Sequence, residues 1–555
     1  MSRKRAARAT PTAPETPPSR APAVALWAAL PLVIAGLMWY YLRLSRAAAG
    51  EIGFPLDDSW IHVRFAQNLA GGQGFSFNPG VPTSTTTSVL WTLLFTLCYR
   101  VTHEYLYTAM VVNGALGVTL CVLVYYLSLT VSASRWLAFS AAVVTAVTVP
   151  LPWWALSGME PPLYAALTLL AILLHIRLRR EHGARALLPT VAMALAGLAR
   201  PELLLLYPLA MVDRLVMAKW AEREPGAVGR WLKDLAITLP VFLLIVAPQF
   251  LYNHRITGYW LPTSFYSKLQ PTSLARAAAR GEWGVILANP VRELWALVKM
   301  WAGNNALLVV PFFVGFWLLV RGAVRGARSL LIPMLLVIQP ALWAVLGGYR
   351  DPWFQSQRYV ANLSPLFVLV GLYGGWWVTE RLAGLRAAAA RVGLVVLVIA
   401  FSLTRQPEAA RTYALNVKNV TEMQVTIARW LQDNTPKDSL LAVNDVGAIG
   451  VIADRPVLDL QGLVTPEALA ARAEGLEQYQ QWKTGARAGP PTAMAEFVFS
   501  RQPDYVVIFP QWYPEIVMRR DLLTPVYGAE LKDNITCGAP VMVVYRSVWA
   551  DRKAP

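Results

Sequence analysis

The chain has 555 residues, 56% hydrophobic and only 15% charged, with a net charge of +17. That balance leaves too little polar surface to wrap water-soluble cores of this length, so a polytopic membrane protein is expected and a soluble one is excluded. The surplus of positive charge gathers in short loops between apolar runs, as membrane topology requires, and nucleic acid is not its partner.

Residues 1–23 mix Ala and Pro with Arg3, Lys4, Arg5, Arg8 and Arg20, the composition of a disordered cytoplasmic tail. The apolar run near 24–42 is too long for a signal-peptide core and is expected to stay as the first span. An outer loop, 43–106, follows it and carries "FPLDDSWIHVRFAQNL". Ile61, Phe65 and Leu69 recur every four residues there, which predicts a short helix lying along the membrane surface. One Asp before such a helix is explained by N-capping, worth about 1 kcal/mol. Two adjacent ones, Asp57 and Asp58, call for a second role.

The segment "TSVLWTLLFTLCYRV" (87–101) is decided by charge. If it crossed the membrane, the basic loops around Arg177–Arg185, Arg214–Lys233, Arg321–Arg328 and Arg381–Arg391 would all face outward, against the positive-inside tendency. It is therefore expected to dip only part-way in. Apolar helices near 107–130, 135–150, 160–177, 186–199, 202–217, 234–252, 304–321, 329–347, 359–379 and 388–404 bring the expectation to about eleven spans.

With that topology the polar residues converge on the outer side. Glu160 in "SGMEPPLY" enters a helix, where the helix dipole alone would favour it. Arg200 and Glu202 in "ARPE" break an apolar stretch and would satisfy each other as a pair. Lys268 closes an aromatic-rich turn, and Arg350 and Arg358 lie at the mouth of the tenth span. Arg358 stands where apolar sequence resumes, so it needs a partner: ordinary head groups or a lipid phosphate. Acids can deprotonate a hydroxyl or hold a divalent cation, and bases can neutralise a phosphate leaving group. His62 is as readily a water-facing residue as a chemical one. Cys98, Cys121 and Cys537 lie too far apart for a disulfide framework or a metal site.

Residues 405–555 return to ordinary globular composition. "EMQVTIARWLQDN" predicts an amphipathic helix, and "SLLAVND", "RPVLDL", "PDYVVIFP" and "PVMVVYRS" predict strands of a small α/β domain outside the membrane. "DVGAIG" lacks the G-x-G-x-x-G order of a dinucleotide loop. Trp482, Trp512 and Tyr513 could stack on sugar rings, as well as simply pack.

Read in order, "LDDSWIHVRFAQNLAGGQGFSFNPG", "TSTTTSVLW", "SGMEPPL", "ARPE", "GYWLPTSFYSK" and "QRYVANLSP" resemble the C superfamily of membrane glycosyltransferases that use polyprenyl-phosphate sugars. The nearest branch is the terminal arabinofuranosyltransferase of mycobacterial cell-wall polysaccharides. The resemblance covers most of the membrane part and continues more weakly into "RPVLDLQGLVTPEALAA". It implies a multi-pass protein of the plasma membrane whose active site and C-terminal domain are extracytoplasmic. Asp57, Asp58 and Glu160 would be the catalytic acids, and Lys268 and Arg358 would bind the donor phosphate. Arg200, Glu202 and Arg64 would support them. Asp58, or Asp57, would take the proton of the acceptor hydroxyl. The partners implied are a polyprenyl-phosphate sugar donor, a glycan, lipid or protein acceptor, and membrane lipids. Mg²⁺ or Mn²⁺ held by Asp58 and Glu160 is the cofactor the acidic loops allow, although other members of the superfamily work without metal. Protein O-mannosyltransferases and lipid A aminoarabinose transferases would share the membrane core.

Two readings compete with an enzyme. A transporter or flippase would show internal repeats and charges near the bilayer midplane, whereas here the charges gather at one face. A non-catalytic scaffold of envelope assembly would keep full function without Asp58.

Overall fold

A computed structural model describes residues 21–269, 273–382 and 384–550. The basic segment expected to form a cytoplasmic tail lies, up to residue 20, outside the described residues. Among the described residues six helices are long and apolar enough to cross a membrane: Ala28–Ala49, Leu106–Ser132, Pro161–Leu178, Ala227–Thr257, Trp283–Val324 and Gly384–Asn434. Arg135–Ala146 and Pro150–Leu156, bent by 60° where Pro150 and Pro152 interrupt the backbone ladder, make a seventh if counted as one span. Val89–Thr102, Gly183–Ala199, Leu331–Leu346 and Leu363–Thr379 are apolar but shorter. At about 1.5 Å per residue, the 14 residues of Val89–Thr102 reach about 21 Å, less than the ~30 Å hydrocarbon core. Helices thus occupy each segment expected to span, while length singles out fewer of them.

Apolar side chains such as Leu244 and Val310 are left about three-quarters exposed on the outside of the bundle (75% and 73%), a surface suited to lipid and not to water. Inside, small residues bring helices together. A Cβ at Gly315 would lie 2.0 Å from the Val370 carbonyl oxygen, and one at Gly374 2.0 Å from that of Pro311, so helices Val309–Val324 and Leu363–Thr379 touch backbone to backbone. At the end of helix Pro161–Leu178 away from Glu160, Arg179 and Arg180 share Glu222, at 2.9 Å each. The basic loops and Glu160 therefore stand at opposite ends of that helix.

Helix Asp57–Ala70 does not lie on a membrane surface with one face wet. Its residues from Ser59 to Ala66 are all buried. Trp60, Val63 and Ala66 pack into the helical bundle, while Ile61 and Phe65 pack against the C-terminal part. The stripe at 61 and 65 faces a protein layer that the local pattern could not reveal.

The boundary expected at 404/405 falls inside one helix, Gly384–Val420, which leads out of the bundle. Beyond it stands a five-stranded sheet of β1 (Leu441–Val443), β2 (Val457–Asp459), β3 (Tyr505–Ile508), β4 (Leu523–Glu530) and β5 (Val541–Ser547), ordered β2-β1-β3-β5-β4. β1 runs parallel to both neighbours, and β5 antiparallel to β3 and β4. β1 and β3 carry no charged residue because both faces are covered. β4 escapes a pattern search because it is an edge strand with Pro525 at a bulge.

Candidate active site

The two adjacent carboxylates have separate partners, and neither caps its own helix, whose N-cap is Leu56. Asp57 reaches across to another helix, Gly447–Ile452: its Oδ2 accepts the Gly447 amide and its Oδ1 the Ala448 amide, both at 2.8 Å. Glycine is needed at 447, where a Cβ would stand 2.0 Å from the Asp57 carbonyl oxygen. "DVGAIG" thus spends its free amides on Asp57. Burial, then the nearby Asp445 carboxylate, push the Asp57 pKa up to about 8 against the two amide bonds, which lower it.

Asp58 points into a cation pair. Its Oδ2 accepts from Lys268 Nζ at 2.9 Å and from Arg358 Nη2 at 2.6 Å. Burial alone would raise its pKa, but the Lys268 and Arg358 charges and hydrogen bonds outweigh it and hold the carboxyl well below the usual range. Each partner is fixed by its own segment. Lys268 follows the short helix Thr263–Ser267, where the Thr263 and Thr85 hydroxyls both donate to the Leu463 carbonyl and Ser267 Oγ donates to that of Gln461 at 2.7 Å. "TSTTTS" and "TSFYSK" are thereby laced to one loop of the C-terminal part. Arg358 follows three consecutive residues in the left-handed region, Gln355 (φ 48°), Ser356 (φ 54°) and Gln357 (φ 66°). Such backbone costs about 1–2 kcal/mol per non-glycine residue. Here it is held by Trp154 Nε1 donating to the Ser356 carbonyl at 2.8 Å and by paired amides of Gln357 and Asn304, also 2.8 Å. Strain stored this way is a mark of functional segments.

Behind this pair lies a second acid–base group. Glu160 Oε1 accepts from Arg200 Nη1 at 2.6 Å, and Arg200 also holds Glu202 through Nε and Nη2 at 2.8 and 2.6 Å. His62 Nε2 stands 3.7 Å from Glu160 Oε2, with its Nδ1 3.1 Å from the Thr92 hydroxyl. The Tyr359 ring lies 5.0 Å from the guanidinium of Arg200, 5.2 Å from that of Arg350 and 5.0 Å from that of Arg358, and its hydroxyl accepts from Arg358 at 3.0 Å. Glu160 Oε2 and Arg358 Nε are buried and make no hydrogen bond among the described residues.

All of these groups except Asp57 line one cavity of about 440 Å³: Asp58, His62, Glu160, Arg200, Glu202, Lys268, Arg350, Arg358 and Tyr359. The remaining wall is largely apolar, with Leu204, Leu205, Pro208, Leu342, Trp343 and Leu346. Of the residues singled out from the sequence, Arg64 stands apart. It donates to Asp454 at 2.8 Å and to the Phe77 carbonyl at 3.1 Å, fastening helix Asp57–Ala70 to the C-terminal part. Asp57 and Arg64 are docking residues in this arrangement. Tyr359 is the residue sequence reasoning passed over, its only signal being adjacency to the motif residue Arg358; His62, left between water and chemistry by the sequence, lines this cavity.

A divalent metal does not fit here. The described residues contain no group of three or more His, Cys, Asp or Glu side chains that could hold one. Asp58 is already neutralised by two cations and Glu160 by Arg200. No step is derived through Mg²⁺ or Mn²⁺.

The whole chain is similar in shape to ArnT from Cupriavidus metallidurans. The structure of ArnT bound to undecaprenyl phosphate matches with a TM-score of 0.54 and 12% identity, over 95% of this chain and 98% of that one. The oligosaccharyltransferase of Archaeoglobus fulgidus in its apo form matches with a TM-score of 0.57 and 11% identity, over 96% of this chain and 75% of that one. These likenesses show the fold. A family described as a domain of unknown function (DUF8728) matches residues 415–545. No curated protein matches the chain.

Proposed function

We propose that the protein is a membrane glycosyltransferase that moves a sugar from a polyprenyl phosphate to an acceptor hydroxyl on the outer face of the plasma membrane. One observation carries this reading. Cations and carboxylates from widely separated segments meet in one otherwise apolar cavity that could take a prenyl chain with its phosphate. The crystal structure of ArnT with undecaprenyl phosphate supports that ligand class. In this reading about eleven spans carry the basic loops on the cytoplasmic side, with residues 405–555 outside. The sequence motifs favour an arabinofuranosyl-type donor and an envelope glycan as acceptor.

The donor phosphate sits between Lys268 and Arg358, whose charges are otherwise spent on Asp58. Arg358 Nε offers it an unused donor. The bond between the anomeric carbon and the phosphate oxygen breaks, and the electron pair leaves with the polyprenyl phosphate, stabilised by the two cations. The acceptor oxygen bonds to the anomeric carbon and gives its proton to Asp58. Glu160 and His62 line the far wall and orient the sugar, with Arg200 and Glu202 fixing Glu160.

The test is to supply the purified full chain with a panel of polyprenyl-phosphate sugars and an envelope-glycan extract and to follow release of the free carrier. Release from one donor, reduced at least a hundredfold by Asp58→Asn, is expected. Release from none, together with donor movement between leaflets in vesicles, would establish the transporter instead.

A further inference from the structure

A second cavity, of about 420 Å³, lies between the membrane part and the sheet. It shares Asp58, Lys268, Arg350 and Leu463 with the first, so the two chambers meet at the Asp58 carboxylate. Their chemistry differs. In the second chamber the acids of the wall are already engaged: Asp57 by the two amides, and Asp445 by Gln424 Nε2 at 2.7 Å and Asn444 Nδ2 at 3.0 Å. Its guanidinium groups have no carboxylate partner among the described residues. Arg472 donates only to neutral oxygens, the Ser267 carbonyl and hydroxyl at 3.1 Å and the Gln461 carbonyl at 3.2 Å. Arg350 donates to the Lys268 carbonyl at 3.4 Å. No ion pair is formed by Arg276, Arg350 or Arg472 among the described residues. Burial, then the charges of Arg472 and Arg280, lower the Arg276 pKa.

Trp512 completes the wall, 44% exposed and 5.0 Å from the Phe509 ring. Gly538 makes room for it, since a Cβ there would stand 2.4 Å from the indole. A rigid, half-open indole beside hydrogen-bonding amides suits the apolar face of a sugar ring.

We propose that this chamber is the acceptor subsite and that it takes a saccharide bearing an oxyanion, a phosphate or a carboxylate, held by Arg276 and Arg472 with a sugar ring on Trp512. This rests on the glycosyl-transfer reading and names the acceptor class for it. An anionic saccharide supplies the counter-charge that the guanidinium groups lack, and it brings a hydroxyl to Asp58 from the side opposite the lipid-lined chamber. Both guanidinium and oxyanion are planar or multidentate partners, which gives orientation as well as affinity.

The test measures binding of maltotriose, its monophosphate and its uronate to the full chain in nanodiscs, with undecaprenyl phosphate measured in parallel. The phosphorylated or the carboxylated sugar should bind at least tenfold more tightly than the neutral one, and whichever binds identifies the oxyanion. Arg276→Gln and Arg472→Gln should each remove most of that preference, and Arg276→Lys should restore part of it. Arg276 makes no side-chain hydrogen bond among the described residues, so its variant guards against misfolding of the Arg472 one. Equal affinity for the three sugars, no binding of any, or a preference indifferent to both arginines would overturn the proposal. Undecaprenyl phosphate affinity reports separately on the first chamber: its loss in Arg358→Ala with no sugar preference leaves the donor reading standing and this one refuted.

Discussion

Replacing each of two neighbouring aspartates by asparagine should separate docking from chemistry. In Asp57→Asn one side-chain oxygen survives to accept one amide of the Gly447–Ala448 pair, while the new NH₂ faces the other N–H across 2.8 Å. Leaving that buried N–H without its acceptor costs about 1–3 kcal/mol. If that loss falls on the contact between helix Asp57–Ala70 and the C-terminal part, its open population rises about 5–150-fold. Limited proteolysis of loops around residues 447–465 reads this directly, because cleavage follows the open population when reclosing is fast. Carrier release under saturating substrate should fall by less than tenfold. Asp58→Asn should do the reverse, lowering release by 10²–10⁴, the usual worth of a general base, while cleavage at these loops rises less than in Asp57→Asn because the Gly447–Ala448 contact is kept. Release abolished in Asp57→Asn with proteolysis unchanged would refute the division and make Asp57 the base.

Gly447→Ala should loosen the same contact more severely, by about 3 kcal/mol or beyond, because its Cβ would meet backbone and not a movable side chain; the same proteolysis checks it. The contact should also weaken with rising pH. Burial raises the Asp57 pKa to about 8 and that of Asp445 to about 6, from about 4 in an exposed carboxyl, so their contribution is complete below about pH 4 and fades as pH climbs from there to about 8. Proteolysis across pH 5.5–9 should show faster cleavage at the alkaline end, flattened in Asp57→Asn. Ser356→Gly should raise the unfolding temperature slightly, since glycine adopts φ 54° at no steric cost and the carbonyl that receives Trp154 is kept.

The helical content was legible because apolar runs announce themselves by length and composition, and four of the five strands because β-branched runs stand between turn residues. β4 was hidden by Pro525 and its edge position. The convergence of Asp58, Glu160, Arg200, Lys268 and Arg358 was visible once the loops were placed on one side, a topological inference that needs no distances. What sequence could not show is which of two adjacent carboxylates turns which way. That depends on Gly447, almost four hundred positions downstream, presenting two free amides. Likewise Arg64 shares a helix with Asp58 yet answers to Asp454, a partner far along the chain. His62 stayed undecided because a lone histidine on a helix carries no period or spacing of its own.

A carboxylate held by two cations is a poor base, and this is the apparent difficulty of assigning Asp58 the proton. The difficulty disappears when the donor is counted. A phosphate arriving between Lys268 and Arg358 takes the hydrogen bonds that Asp58 now receives and adds its own negative charge. At about 5 Å and an effective dielectric near 20, one added charge is worth about 3 kcal/mol, roughly two powers of ten in proton affinity. The base is therefore weakest in the empty site and stronger by that amount once the leaving group is seated. The pH dependence of turnover distinguishes this from a fixed base. The acid limb of kcat/KM reports Asp58 in the free protein and that of kcat reports it in the loaded complex. The kcat limb should lie at higher pH by one to two units, roughly the tenfold to hundredfold gain in proton affinity worked out above. Coincident limbs would mean that the phosphate does not displace the cations from Asp58, and another group would have to take the proton.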